Sequence, residues 1–250
     1  MTALVARALP PLPPIRAGDA LGALIAAAAP PDLASRDVLV VAHKVVSKAE
    51  GRLRRLGEIE PGERALALAE EHGKDARLVQ AVLDESTEVL RARDGVLICV
   101  TRHGLVCANA GVDRSNAGAE DELVLLPSDP DESARALRAA IAAERGVRPA
   151  VLVADSFGRA WRLGQSDVAI GAAGLAALDR WRGRPDAFGR ELTVTSIAVA
   201  DGAAAAADLA RTKDSGQPAV LVRGLERYVT DDDGPGAAEL RRPAEEDLFR

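Results

Sequence analysis

The segment Val151-Leu152-Val153-Ala154-Asp155-Ser156-Phe157-Gly158-Arg159-Ala160-Trp161-Arg162-Leu163-Gly164 constrains the fold more than any other. Four small or branched apolar residues in a row read as a buried strand, and the run stops at an acid followed by a hydroxyl. A carboxylate fixed at a strand end presents hard oxygen to a divalent cation. The turn that follows adds Gly158 and Gly164 for close backbone approach, and Arg159 and Arg162 for anions. Metal with phosphate is one reading of this stretch. A strand running into a solvated, charged turn is the plainer one, because a dipeptide such as Asp-Ser is a weak signal.

At 250 residues the chain can bury a sizeable core as one large domain or two small ones. Aromatics are 2% of residues against 48% hydrophobic overall, so the core has to be built from Leu, Val, Ile and Ala. A formal net charge of −6 argues against general nucleic-acid binding, which concentrates basic charge. The local cluster Arg52-Leu53-Arg54-Arg55 reads as a solvated face or strand rim. Cys99 and Cys107 flank a hairpin turn without metal-knuckle spacing or a secreted disulfide framework, and read as small buried side chains. The Pro-rich start, Met1 to Ile15, lacks the order of a signal peptide, and no run of about 18 apolar residues spans a bilayer. The expectation is a cytoplasmic protein with no membrane and no nucleic-acid partner.

Leu9 to Ile15 carries four prolines and is an extended lead-in. Helices are expected over Ala20 to Ala28, Glu63 to His72, Ala76 to Leu83, Glu132 to Arg145, Leu175 to Trp181 and Asp201 to Ala210. Strands are expected over Asp37 to Val41, Gly95 to Val100, Leu105 to Ala108, Leu123 to Leu126, Arg190 to Val199 and Pro218 to Val222. From Ala42 to Arg52 polar groups interrupt apolar ones every second or third residue; spacing alone favours a strand with ordinary surface lysines, although Lys44 and Lys48 could both reach one anionic ligand. Asn109 to Asn116 is a second polar turn, with Asp113 and Asn116 three apart and Gly111 freeing the backbone. Acidic turns at Asp113 and Asp155 make a better metal pair than either alone, since a divalent cation needs several oxygens.

Arg211 to Gln217 is a polar loop without the Gly-x4-Gly-Lys-Ser/Thr pattern of a strong phosphate loop. His43, His72 and His103 stand alone and read as structural. The tail from Asp231 to Glu246 reads as surface-bound or mobile. Helices and strands alternate irregularly, and no Gly-x-Gly-x-x-Gly turn follows the first strand, which disfavours a doubly wound dinucleotide fold. The fold class is α+β, with mixed and antiparallel sheets and flanking helices in two intertwined subdomains. Two acidic turns, lysines near strand ends and a late Gly/Lys loop fit a metal–nucleotide site that moves phosphoryl groups by positioning and charge neutralisation.

Five co-linear motifs carry a resemblance: Lys44-Val45-Val46-Ser47-Lys48-Ala49-Glu50-Gly51-Arg52, Thr101-Arg102-His103-Gly104-Leu105-Val106-Cys107-Ala108-Asn109-Ala110-Gly111-Val112-Asp113, Asp155-Ser156-Phe157-Gly158-Arg159-Ala160-Trp161-Arg162, Asp167-Val168-Ala169-Ile170-Gly171 and Pro218-Ala219-Val220-Leu221-Val222-Arg223-Gly224. Together, from about Leu12 to Arg250, the chain resembles the coenzyme F420 γ-glutamyl ligase family. The resemblance implies a GTP-dependent ligase that adds L-glutamate to coenzyme F420-0 through an acyl phosphate, with further γ-linked glutamates to follow, and that uses Mg2+ or Mn2+ with K+ as a further cation. It implies that Asp113, Asp155 and Ser156 bind metal, and that Leu12, Pro13, Pro14, Ile15, His43, Lys44, Lys48, Asn116, Lys213 and Gly216 contact nucleotide, with Asp155 and Lys48 acting in catalysis. It also implies a cytoplasmic homodimer and a single ligase domain over residues 1–250, ending about where some relatives begin a flavin-binding, nitroreductase-like domain. The chain departs from the pattern at Arg211-Thr212-Lys213, where relatives often have Met-Gly-Glu or Met-Gly-Lys, and at Gly202, where an acid commonly stands. A homologue that binds nucleotide or F420 without turnover, and a ligase for a different phosphate-bearing acceptor, are the alternatives.

Overall fold

Two segments that are apolar without a break, Val38-Leu39-Val40-Val41 and Val151-Leu152-Val153-Ala154, lie side by side at the centre of the molecule, and no residue in either is more than 1% exposed. A computed structural model describes residues 3–118 and 120–247, so the ends of the expected 1–250 domain lie outside the described residues. Its elements are β1 (Val5–Ala8), α1 (Leu21–Ala28), β2 (Val38–Ala42), α2 (His43–Ala49), β3 (Leu53–Arg55), α3 (Glu63–His72), α4 (Ala76–Asp84), β4 (Ser86–Arg93), β5 (Val96–Thr101), β6 (Val106–Ala108), β7 (Glu122–Val124), α5 (Pro130–Arg145), β8 (Ala150–Arg159), β9 (Arg162–Ala173), β10 (Leu178–Arg180), β11 (Ser196–Ala198), α6 (Val199–Asp208) and β12 (Ala219–Arg223).

The main sheet has the order β1-β12-β2-β8-β9. Only β2 and β8 run parallel; every other neighbour is antiparallel. Strand side chains alternate between faces. Leu39, Val41, Val151 and Val153 therefore meet Ile25 of α1 and Leu137 and Ile141 of α5, while Val38, Val40, Leu152 and Val220 meet the alanine face of α6. With both faces covered, the central strands can be continuously apolar, as read. α5 lies so close to β9 that a Cβ at Gly171 would stand 2.0 Å from the Pro130 carbonyl oxygen. A second core, formed by α3, α4, β4, β5 and β7, gathers Val79, Val82, Leu97, Cys99 and Leu123. Cys99 and Cys107 are register partners across β5 and β6, free and buried. The fold is α+β with mixed sheets. Among the described residues no helix is long and apolar enough to cross a membrane.

Several segments depart from the sequence reading, and the strands β1 and β9 have no counterpart in it. β8 does not stop at Asp155: its ladder with β9 continues through Ser156↔Asp167 to Arg159↔Arg162, because backbone pairing outlasts the apolar run as the strand leaves the core. Ala42 to Arg52 is not a strand but contains the helix α2, seven residues long and too short for its spacing to show a helical period. Leu175 to Trp181 is not a helix: the Ala176 N–H donates to Tyr228 O and the Ala177 carbonyl accepts from Val199, so long-range partners take the groups a helix would use. In Arg190 to Val199 only β11 is strand, and β4, bulged and half exposed, has no counterpart in the reading. The tail is surface-bound. The buried Arg138 donates to the carbonyls of Thr230 and Asp232 and to Asp233, and the Asp131 carboxylate accepts from the Ala237 N–H.

Candidate active site

At one end of the main sheet, segments far apart in sequence wall a cleft of about 590 Å3. Leu12, Pro13, Pro14 and Ile15 come from the lead-in; His43, Lys44 and Lys48 from α2; Asp113 and Asn116 from the turn after β6; Asp155 and Ser156 from β8; Lys213 and Gly216 from the loop before β12. Every residue to which the resemblance gives a metal, nucleotide or catalytic role lines this one cleft. Ser115 and Gln165 line it too without being named, as do Asp167, which opens the fourth motif, and Arg211, which opens the divergent loop, neither of which is given a role.

Each wall has a local reason for its place. The prolines of the lead-in donate no backbone bonds, so it is tied down by the Leu9 N–H to Ala219 O and the Leu12 N–H to Gly216 O. In α2 the spacing of four residues puts Lys44 above Lys48 and His43 above Ser47. His43 is buried, with Nδ1 3.4 Å from Ser47 Oγ and Nε2 3.1 Å from Asp155 Oδ1, so it does not stand alone as its sequence context suggests. It is the strut between α2 and β8. His72 and His103 remain outside the cleft, beside Glu71 and the Ser128 carbonyl.

Asp113 is aimed by a left-handed turn. Asn109, Ala110 and Gly111 have φ of 51°, 52° and 71°, and a Cβ at Gly111 would stand 2.6 Å from Leu126 Cγ, so this position is closed to larger residues. The Asp113 backbone pairs with Val124 and leaves the side chain to the cleft. Oδ2 accepts from Lys44 Nζ at 2.6 Å, and Oδ1 from the Ser115 N–H at 2.7 Å. Burial opposes ionisation of this carboxyl, yet the Lys44 and Ser115 hydrogen bonds outweigh it and hold its pKa below the ordinary value. Burial pushes the Lys48 ammonium below its ordinary pKa; Glu122 opposes this and Lys44 adds to it.

Across the cleft, Asp155 Oδ1 also accepts from the Ser156 N–H at 2.8 Å. Ser156 Oγ donates to Asp167 Oδ1 at 2.6 Å, and Asp167 Oδ2 pairs with Arg211 Nη2 at 2.7 Å. The alternation of β9 carries Asp167 inward opposite Ser156; the pairing of the two strands, which the sequence did not reveal, is what makes it part of the site. Lys213 Nζ reaches Ser156 Oγ at 2.8 Å and Asp208 Oδ1 at 3.0 Å.

Asp113, Asp155 and Ser156 offer hard carboxylate and hydroxyl oxygens, the donor type a divalent cation such as Mg2+ takes. Among the described residues no three His, Cys, Asp or Glu side chains form a group that could enclose a metal unaided.

The family model for F420-0:gamma-glutamyl ligase matches residues 11–224, the span that includes every wall of this cleft. Similar proteins described as coenzyme F420:L-glutamate ligase come from Archaeoglobus fulgidus, 46% identical over 96% of this chain and 93% of its own length, and from Methanopyrus kandleri, 45% identical over 94% and 93%. A third, from Methanothermobacter thermautotrophicus, is 43% identical over 96% of both chains. Motifs, cleft and near-full-length likeness agree, and the chain belongs to the F420-0:gamma-glutamyl ligase family.

Proposed function

We propose that this protein is a GTP-dependent ligase that joins L-glutamate to coenzyme F420-0. One observation carries the reading: a single cleft brings two lysines for phosphate together with oxygen donors for a divalent cation. A carboxylate and an amine do not condense readily in water, so a leaving group has to be installed first. The acceptor's carboxylate oxygen attacks the γ-phosphorus of GTP, the bond to the β–γ bridging oxygen breaks, and GDP leaves. The α-amino nitrogen of glutamate then attacks the acyl phosphate carbonyl, phosphate departs with the bonding pair, and the nitrogen loses its proton. The product is an amide.

Lys44 and Lys48, one helical turn apart, place positive charge where the triphosphate would lie. His43 keeps Asp155 oriented. Asp113, Asp155 and Ser156 would hold Mg2+ or Mn2+, which neutralises charge growing on the phosphates. K+ would enter as a further counter-ion. A homodimer belongs to the same reading: Trp161 and Leu163 at the β8–β9 tip, and Phe188 and Val194 beyond β10, are each at least 85% exposed, an apolar display that a second copy would cover.

The test is to incubate the protein with F420-0, L-glutamate, GTP and Mg2+ and follow the deazaflavin by mass spectrometry. Glutamylated product with stoichiometric GDP is the expected result. GDP release without that product would point to another phosphate-bearing acceptor, and intact GTP with bound nucleotide to a binding protein that has lost turnover.

A further inference from the structure

One corner of the cleft is already occupied by a cation, and that cation is a side chain. Lys213 Nζ lies 2.8 Å from Ser156 Oγ, 3.0 Å from Asp208 Oδ1 and 3.6 Å from Asp167 Oδ1. Both carboxylates have reasons to want positive charge. Asp167 is 2% exposed. Asp208 ends α6, where the backbone carbonyls concentrate negative potential that a carboxylate worsens. Two carboxylates and a hydroxyl therefore converge on one point, which has the oxygen chemistry of a metal position but is filled by an ammonium on a stem that is 68% exposed.

Arg211 makes the arrangement durable. Its guanidinium is held by the Pro218 carbonyl at 2.7 Å and by Asp167 Oδ2 at 2.7 Å, so Asp167 stays paired even when Lys213 swings toward a ligand. An ammonium a few ångströms from Ser156 repels any divalent ion that would use the same oxygens. The corner carries two positive charges, both covalently attached: Arg211 on the far oxygen of Asp167, and Lys213 at the shared point.

We infer that Lys213 is a built-in cation that fills the Ser156–Asp167–Asp208 corner and supplies there the positive charge a second divalent ion would otherwise bring. The inference rests on the nucleotide-and-metal reading of the cleft. It makes the chain a protein that takes up a single divalent ion with its nucleotide, on the Asp113 and Asp155 side, and it withdraws Ser156 from that ion's ligands because Lys213 engages the hydroxyl. Lys213 faces the nucleotide, as its motif position implies, but its seat is made of carboxylates and a hydroxyl.

Counting Mn2+ tests this without any turnover. Free Mn2+ is titrated into the folded protein with saturating GDP, and its loss is followed by electron paramagnetic resonance. The wild-type chain is expected to take up a single ion, and Lys213→Glu to take up a second, because the repelling charge is replaced by a ligand. Lys213→Gln is expected to bind that second ion more weakly than Lys213→Glu, which keeps the test intact should the glutamate variant fail to fold. A second ion in the wild type, or the same count in all three proteins, overturns the inference while leaving the ligase reading in place. No GDP-dependent Mn2+ uptake by the wild type overturns both.

Discussion

The two acidic stations of the cleft are built in opposite ways. The Asp113 side chain is 43% exposed, sits on a turn, and is matched by Lys44, whose side chain is 20% exposed. The Asp167 side chain is 2% exposed, sits mid-strand, and is locked to Arg211, only 8% exposed, and to Ser156. An exposed ion pair in high dielectric is worth little and exchanges partners readily, whereas a buried one is costly to break. The first station is therefore suited to trading its lysine for a ligand, and the second to keeping its shape. Asp155 is tied to α2 through His43.

The comparison can be broken by substitution. Asp155→Ala should reduce product formation by about a thousandfold while the protein stays folded, because a preorganised charge at the reacting phosphates is removed; circular dichroism beside the mass assay checks both halves. Asp167→Ala should destabilise the fold by about 3 kcal/mol by stranding Arg211, read as a lower denaturant midpoint at unchanged slope. Asp113→Ala should shift that midpoint by less than about 1 kcal/mol. If the two aspartates destabilise equally, the contrast between a mobile and a locked station is wrong.

Smaller effects sharpen it. Lys44→Gln should raise the KM for GTP about tenfold, the loss of one charge-assisted contact, with a lesser change in kcat. The same variant should move the Asp113 titration upward, toward the value burial alone would set, as followed by carboxyl carbon shifts. The sign for stability follows. A carboxyl whose folded pKa is depressed contributes above its unfolded value near 3.8, and that contribution is lost as pH falls through the folded value. For a station this exposed the acid-induced loss should be slight and should shrink further with salt.

The three central strands of the main sheet were legible because β2, β8 and β12 are buried on both faces and declare themselves in unbroken apolar runs, whereas the outer strands β1 and β9 were not. α5 was legible from its spacing and its Asp129 cap, which accepts from the N–H groups of Asp131 and Glu132. α2 was not, since His43 to Ala49 spans about two turns and its apolar pair Val45-Val46 suits a strand equally well. β10 was hidden for a different reason: Leu175 to Trp181 has helix-forming residues, and only Tyr228 and β11, distant in sequence, overrule them. The same limit applies to the site. The residues to which the resemblance gives a role all line the cleft, but Asp167 and Asp208 acquire meaning only through pairing across β9 and through the end of α6, which no local pattern encodes.

Cys99 and Cys107, facing each other across β5 and β6, carry a practical consequence. Burial pushes the Cys99 thiol up, and burial with the negative charge of Asp155 pushes Cys107 up to about 12. Thiolates, not thiols, attack aromatic disulfide reagents, so both sulfurs stay silent at neutral pH until the smaller core opens. The unaltered protein thus carries its own stopwatch for local unfolding: the rate at which the reagent colours reports how often that core breathes, and nucleotide that stills it will slow the clock.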